Sequence, residues 1–63
     1  MGIDNKLIDY AWEGNTLGVM LMLDMGADVH SYNDEALRLA SYKNHTEVVK
    51  ILKEYKNKGE KRV

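Results

Sequence analysis

The sequence predicts an all-α domain of two stacked helix-turn-helix repeats, four helices in all. Three observations carry that prediction. Apolar residues recur at helical spacing in four separate runs; the first three runs stop at Gly14, Gly26 and Asn44; and the phrase that begins at Leu7 returns at Leu37, thirty positions later. A period of this size means that helix pairs bury apolar surface against their neighbours around a shared ribbon of core, an organisation suited to binding. With 63 residues the chain holds one domain at most. Chains this small bury only roughly 60% of their unfolded surface, so little stability is spare.

The first helix is expected to open at Asp4 or Asn5, whose side-chain oxygens can cap free amides, and to show Leu7, Ile8, Ala11 and Trp12 on one face. Gly14 ends it, because glycine adopts the left-handed backbone of a helix terminus at no steric cost. The second helix runs from about Thr16, as cap, to Met25, with Gly26 as the stop. It is apolar nearly all round, the pattern of a helix covered on several sides. A third helix spans about Asp34 to Lys43, with Ser31, Asn33 and Asp34 competing as caps. Asn44 replaces the terminating glycine, a mild change because asparagine also tolerates that conformation. The fourth helix runs from about Thr46 to Lys56, with continuation through the charged tail as far as Gly59, and no proline interrupts any of the four.

Composition removes several classes of function. Without cysteine there is neither a disulfide nor a thiolate metal site, so stability must come from apolar packing or from a partner. The longest apolar stretch, Val19 to Leu23 with Leu17 just before it, is far shorter than the roughly 18 residues of a membrane span. The opening residues are read as neither a secretory leader nor an acyl-anchor motif, since Lys6 stands where that motif needs a hydroxyl. The net charge of −1 conceals an asymmetry: residues 1–49 carry eight acidic and three basic side chains, and residues 50–63 six basic and two acidic. Cations at the end of a last helix complement its dipole and keep it solvated. The alternative is a nucleic-acid or acidic partner for the tail, although only Tyr55 interleaves an aromatic ring there.

The string Gly26-Ala27-Asp28-Val29-His30, then Ala36-Leu37-Arg38-Leu39-Ala40 and Asn44-His45-Thr46-Glu47-Val48-Val49-Lys50-Ile51-Leu52, resembles ankyrin repeats. The likeness is to the family's Gly-Ala-Asp-Val-Asn turn and its Gly-His-x-Glu-Val-Val-x-x-Leu-Leu second helix, and it covers about residues 4–56. It implies one minimal domain over residues 1–63, with repeat one at about 4–32, repeat two at about 33–58 and a basic tail at 56–63. Residues 7–29 resemble the family's N-terminal capping form. The turn is about three residues shorter than the usual period of about 33 allows, and Glu35-Ala36-Leu37-Arg38 replaces the Thr-Pro-Leu-His signature. A tight loop from Ala27 to Asn33, with a short or absent β-hairpin finger, is therefore expected.

The resemblance also implies where a partner would sit. In the family the two residues before the helix-ending glycine face the target, as do the turn tips. Here these are Trp12 and Glu13 in the first repeat, Tyr42 and Lys43 in the second, and Tyr32 in the turn. Trp12, Tyr42 and Tyr32 together would form an aromatic anchor patch flanked by Glu13 and Lys43, since such rings dominate binding hot spots. The competing reading is that Trp12 and Tyr10 fill a core that has no phenylalanine. Met20 and Met25 fall where the family places charged residues; they either enlarge a tiny core or form a partner or self-association surface.

No catalytic, cofactor or metal residue is expected. His30 and His45 are the only histidines; His45 with Glu47 gives two metal ligands at most, and Ser31 and Ser41 have no neighbouring base. His45 is instead expected to hydrogen-bond the preceding loop, as its family counterpart does. The resulting expectation is a non-enzymatic cytoplasmic module that binds a protein, with a homodimer as one form of partnership. Similarity to repeats of viral ankyrin proteins points to a small viral or phage product that inhibits or redirects a host protein. The alternative is a nucleic-acid-associated regulator that uses the basic tail.

Overall fold

Glycine and asparagine at helix ends become specific backbone geometry. The computed structural model describes the backbone of residues 2–61 and the side chains of residues 2–56. Its elements are α1 (Ile3–Glu13), α2 (Thr16–Asp24), α3 (Ser31–Tyr42) and α4 (Thr46–Lys61), with no strand among the described residues. Gly14, Gly26 and Asn44 have φ of 76°, 102° and 63°, the left-handed region that an ordinary side chain avoids. Each closes its helix by the same pair of bonds. The amides of Gly14 and Asn15 donate to the carbonyls of Ala11 and Tyr10, those of Gly26 and Ala27 to Leu23 and Met22, and those of Asn44 and His45 to Ser41 and Ala40. This is the Schellman arrangement, which satisfies carbonyls that a helix end would otherwise leave unpaired.

The first three helix starts and the end of the fourth helix differ from the sequence-based expectation, while α4 begins at Thr46 as expected. α1 begins at Ile3 after Gly2, and neither Asp4 nor Asn5 caps it. Asp4 instead accepts a bond from the amide of Asp28 at 2.8 Å, tying the start of α1 to the loop after α2. At α2 the cap is Asn15, whose side-chain oxygen accepts from the Gly18 amide at 2.9 Å, so Thr16 is the first helical residue. The third element starts at Ser31, earlier than Asp34, because Tyr32, Asn33 and Asp34 form a turn with φ of 55°, 59° and 60° before right-handed helix resumes. Gly59 does not stop α4, which extends to Lys61.

Four helices then pack as two antiparallel hairpins laid side by side. α1 packs against α2 and α3, and α4 against α3 and α2. The hairpins run in the same sense, since Lys43 at the end of α3 meets Trp12 at the end of α1, and Tyr55 late in α4 bonds Asp24 at the end of α2. All four helices contribute to one buried core: Leu7 and Ala11 from α1, Val19, Met22 and Leu23 from α2, Ala36 and Ala40 from α3, and Val48 and Leu52 from α4. Alanine on both sides of the α1–α3 contact keeps those helices close. Within the first hairpin, a Cβ on Gly18 would stand 2.6 Å from the Tyr10 ring, so only glycine fits beneath that ring. α2 differs from its expected state: Leu17, Met20, Leu21 and Met25 are all exposed, so it is covered on one side and open on the other.

Candidate functional site

The Schellman turn at Gly14 and the one at Asn44 end α1 and α3 at neighbouring points on one edge of the molecule. His45 links them. Its Nε2–H donates to the Trp12 carbonyl at 3.0 Å, and its ring packs where a Cβ on Gly14 would lie only 2.6 Å away. The bond to the preceding loop expected of His45 is therefore made to the residue that carries the largest aromatic side chain. Trp12 does not fill the core; its side chain is 42% exposed. Lys43 closes over it, with Nζ 4.5 Å from the ring centroid, a cation–π geometry worth ~0.5–1 kcal/mol at an exposed site. Tyr42, adjacent to Lys43, is 78% exposed, and Glu13 is exposed beside Trp12.

The structure does not bring all the anticipated residues together. Tyr32 is exposed, but it lines a shallow cleft with Gly2, Ile3, Asp4 and Asn5 at the opposite end of α1. The 11 residues of α1 span ~16 Å at the usual helical rise, which separates Tyr32 from Trp12 and removes it from the anchor patch. Its position depends on the left-handed turn, which the sequence did not announce. That turn is held by two local bonds and one contact from α4: His30 Nδ1–H donates to Asp34 Oδ1 at 2.7 Å, Arg38 Nε–H donates to the Asn33 carbonyl at 3.2 Å, and Lys56 Nζ lies 3.8 Å from Asp34 Oδ2.

Met20 and Met25 form a second surface on α2, in company with Leu17 and Leu21. Sequence reasoning missed those two leucines as surface residues. Their signal was the lack of a polar side in α2, which reads equally as full burial or as an open apolar face. At its far end α2 is fastened to α4 by the Tyr55 hydroxyl, which donates to Asp24 at 3.0 Å. That bond, then burial, then the negative charge of Asp24 hold the Tyr55 phenol above its ordinary pKa of 10.0.

Among the described residues, no helix is long and apolar enough to cross a membrane, and no three His, Cys, Asp or Glu side chains group as a metal site. The basic-tail side chains of Lys58, Lys61 and Arg62 lie outside the described residues. No protein-family model matches the chain, and no curated protein or solved structure does.

Proposed function

We propose that this chain is a minimal ankyrin-type module, non-enzymatic, that binds a protein partner on the edge formed by Trp12, Tyr42 and Lys43. One observation carries the reading: a half-exposed indole is held under a lysine, beside a tyrosine that is 78% exposed, on a backbone fixed by two Schellman turns and the His45 bond. Rigid aromatic side chains supply large contact area at small entropic cost, which is why they anchor interfaces. Stacking on Trp12 orders Lys43 before any partner arrives, and exposed Glu13 adds the opposite charge for orientation. The ankyrin-type part of the proposal is supported by hairpins of the same sense whose turns recur thirty residues apart, at Gly14 and Asn44. In this reading the module acts in the cytoplasm, on a host protein where the chain is viral.

The test compares the wild-type chain with a Trp12→Ala, Tyr42→Ala double variant as affinity baits. Both side chains are exposed, so helix content by circular dichroism should be unchanged. Partner recovery is expected to fall at least tenfold, and equal recovery by both baits would exclude this edge. Salt separates the alternative: contacts of a basic tail with phosphate weaken steeply as salt rises, whereas an aromatic contact holds.

A further inference from the structure

We propose that the open face of α2 is a self-association surface, on which two copies of the chain pair antiparallel about a two-fold axis near Leu21. Leu17, Leu21 and Met25 are 77%, 54% and 57% exposed and lie four residues apart, so they form one ridge along the helix, with Met20 at 41% beside it. The residues thirty positions later explain what this face is for. They are Glu47, Ile51, Tyr55 and Lys50. In α4, Ile51 and Tyr55 are partly buried, and Tyr55 reaches α2 through Asp24. Glu47 and Lys50 are exposed, so it is Leu21 and Met25 of the ridge that lack the packing their counterparts Ile51 and Tyr55 have.

A second copy could approach in two ways, and the charges select one. Continuing the side-by-side order would press outward residues of α4, exposed Lys53 and Glu54, onto the ridge. That buries charges against leucine without partners, which is costly. The ridge instead matches itself. Among the described residues, the large exposed apolar side chains outside α2 and its C-cap Met25 are the aromatic Trp12, Tyr32 and Tyr42, so large exposed aliphatic side chains are confined to residues 17–25. Antiparallel packing of equivalent ridges sets Leu17 against Met25 of the second copy and Leu21 against Leu21, a self-complementary contact closed by two-fold symmetry.

Electrostatics agrees with that direction. The sequence of α2, Thr-Leu-Gly-Val-Met-Leu-Met-Leu-Asp, has a single charge, Asp24. Antiparallel pairing carries Asp24 toward the positive, N-terminal end of the other α2. It keeps the two Asp24 carboxylates ~9 Å apart along the axis, about a Debye length at physiological salt. Parallel pairing would set them side by side. A fully buried leucine or methionine corresponds to roughly 100 Å² of apolar area, so each copy brings on the order of 200 Å² of aliphatic surface. A standard interface takes ~800 Å² per partner, so the dimer is weak and concentration-dependent. Trp12 and Lys43 lie on the α1–α3 side, so the pair would display two copies of that edge.

Sedimentation of the full chain from micromolar to millimolar concentration tests the pairing. The weight-average mass should climb toward twice the monomer value, and Leu21→Glu should hold it at the monomer value with an unchanged helical spectrum. Because the chain has no cysteine, single introduced thiols report geometry. In a glutathione redox buffer Leu21→Cys should cross-link to itself at least tenfold faster than Leu17→Cys or Met25→Cys alone, while a mixture of the latter two should cross-link to each other. A wild-type monomer at every concentration would overturn the proposal and assign the ridge to a different protein. Self-linking of Leu17→Cys as fast as that of Leu21→Cys would overturn the antiparallel geometry.

Discussion

The two hairpins have the same turns and share one core but differ in their outer faces. Gly14 and Asn44, thirty residues apart, close α1 and α3 with the same two bonds. Val19, Met22 and Leu23 on α2 share one core with Val48 and Leu52 on α4. The outer faces then diverge. Exposed Glu47 and Lys50 stand on α4 where Leu17 and Met20 stand on α2, so the second hairpin turns charge to water where the first leaves an apolar ridge. The repeated phrase encodes how a helix pair is built, whereas residues outside the core decide what can lie next to it.

The largest expected effect comes from forcing the hairpins to share a residue they do not share. Val48 is the counterpart of Gly18 thirty positions on, but Gly18 is covered by Tyr10. Gly18→Val should destabilise the fold by about 3 kcal/mol in urea titration, from overpacking beneath the ring. Adding Tyr10→Ala should restore part of that loss; no restoration would mean that the ring is not the obstacle. Gly14→Asn, which imports the residue found at Asn44, should cost about 2 kcal/mol despite the tolerance of asparagine for positive φ. The reason is the His45 ring, which sits where the new Cβ must go.

The helix entries give a smaller contrast. Gly2 enters α1 in extended backbone, while Tyr32 enters α3 with φ of 55°. A non-glycine residue in that region carries roughly 1 kcal/mol of strain, so Tyr32→Gly should raise stability by about that amount in thermal unfolding. An unchanged or lower melting temperature would show that the turn is not strained.

Tyr55 and its counterpart Met25 differ in bonding, and pH exposes the difference. The folded-state pKa of Tyr55 is raised, so its stabilising effect is fully present below the unfolded value near 10 and is lost as pH climbs through the folded value. The stability advantage of wild type over Tyr55→Phe should accordingly vanish under strongly alkaline conditions and persist at neutral pH. The smallest effect on folding is expected from copying the outer face of α4 onto α2. Leu17→Glu with Met20→Lys should move stability by no more than ~0.5 kcal/mol, because both side chains are exposed. A large loss would show that the ridge packs within the monomer.

Much of the architecture was legible because it rests on local chemistry. Glycine or asparagine at 14, 26 and 44 dictates where helices stop, and apolar spacing places Leu7 and Ala11 of α1 inward, while Trp12 on the same expected face is exposed. Helix starts were less legible: Asp4, expected as a cap, is drawn by packing to the Asp28 amide, and the capping role expected of Thr16 belongs to Asn15, which bonds the Gly18 amide. The site divides the same way. The aromatic and basic residues of the Trp12 edge were readable from position in the repeat, but the Lys43 stack and the remote place of Tyr32 were not.

Four helices and their order were thus readable from the residues, because helix periodicity and left-handed termini act over a few residues. Tertiary structure alone decided which side of α2 remains uncovered. An apolar helix carries no local mark of its neighbours; exposure of Leu17, Met20, Leu21 and Met25 follows only once α1 and α4 have taken the other sides.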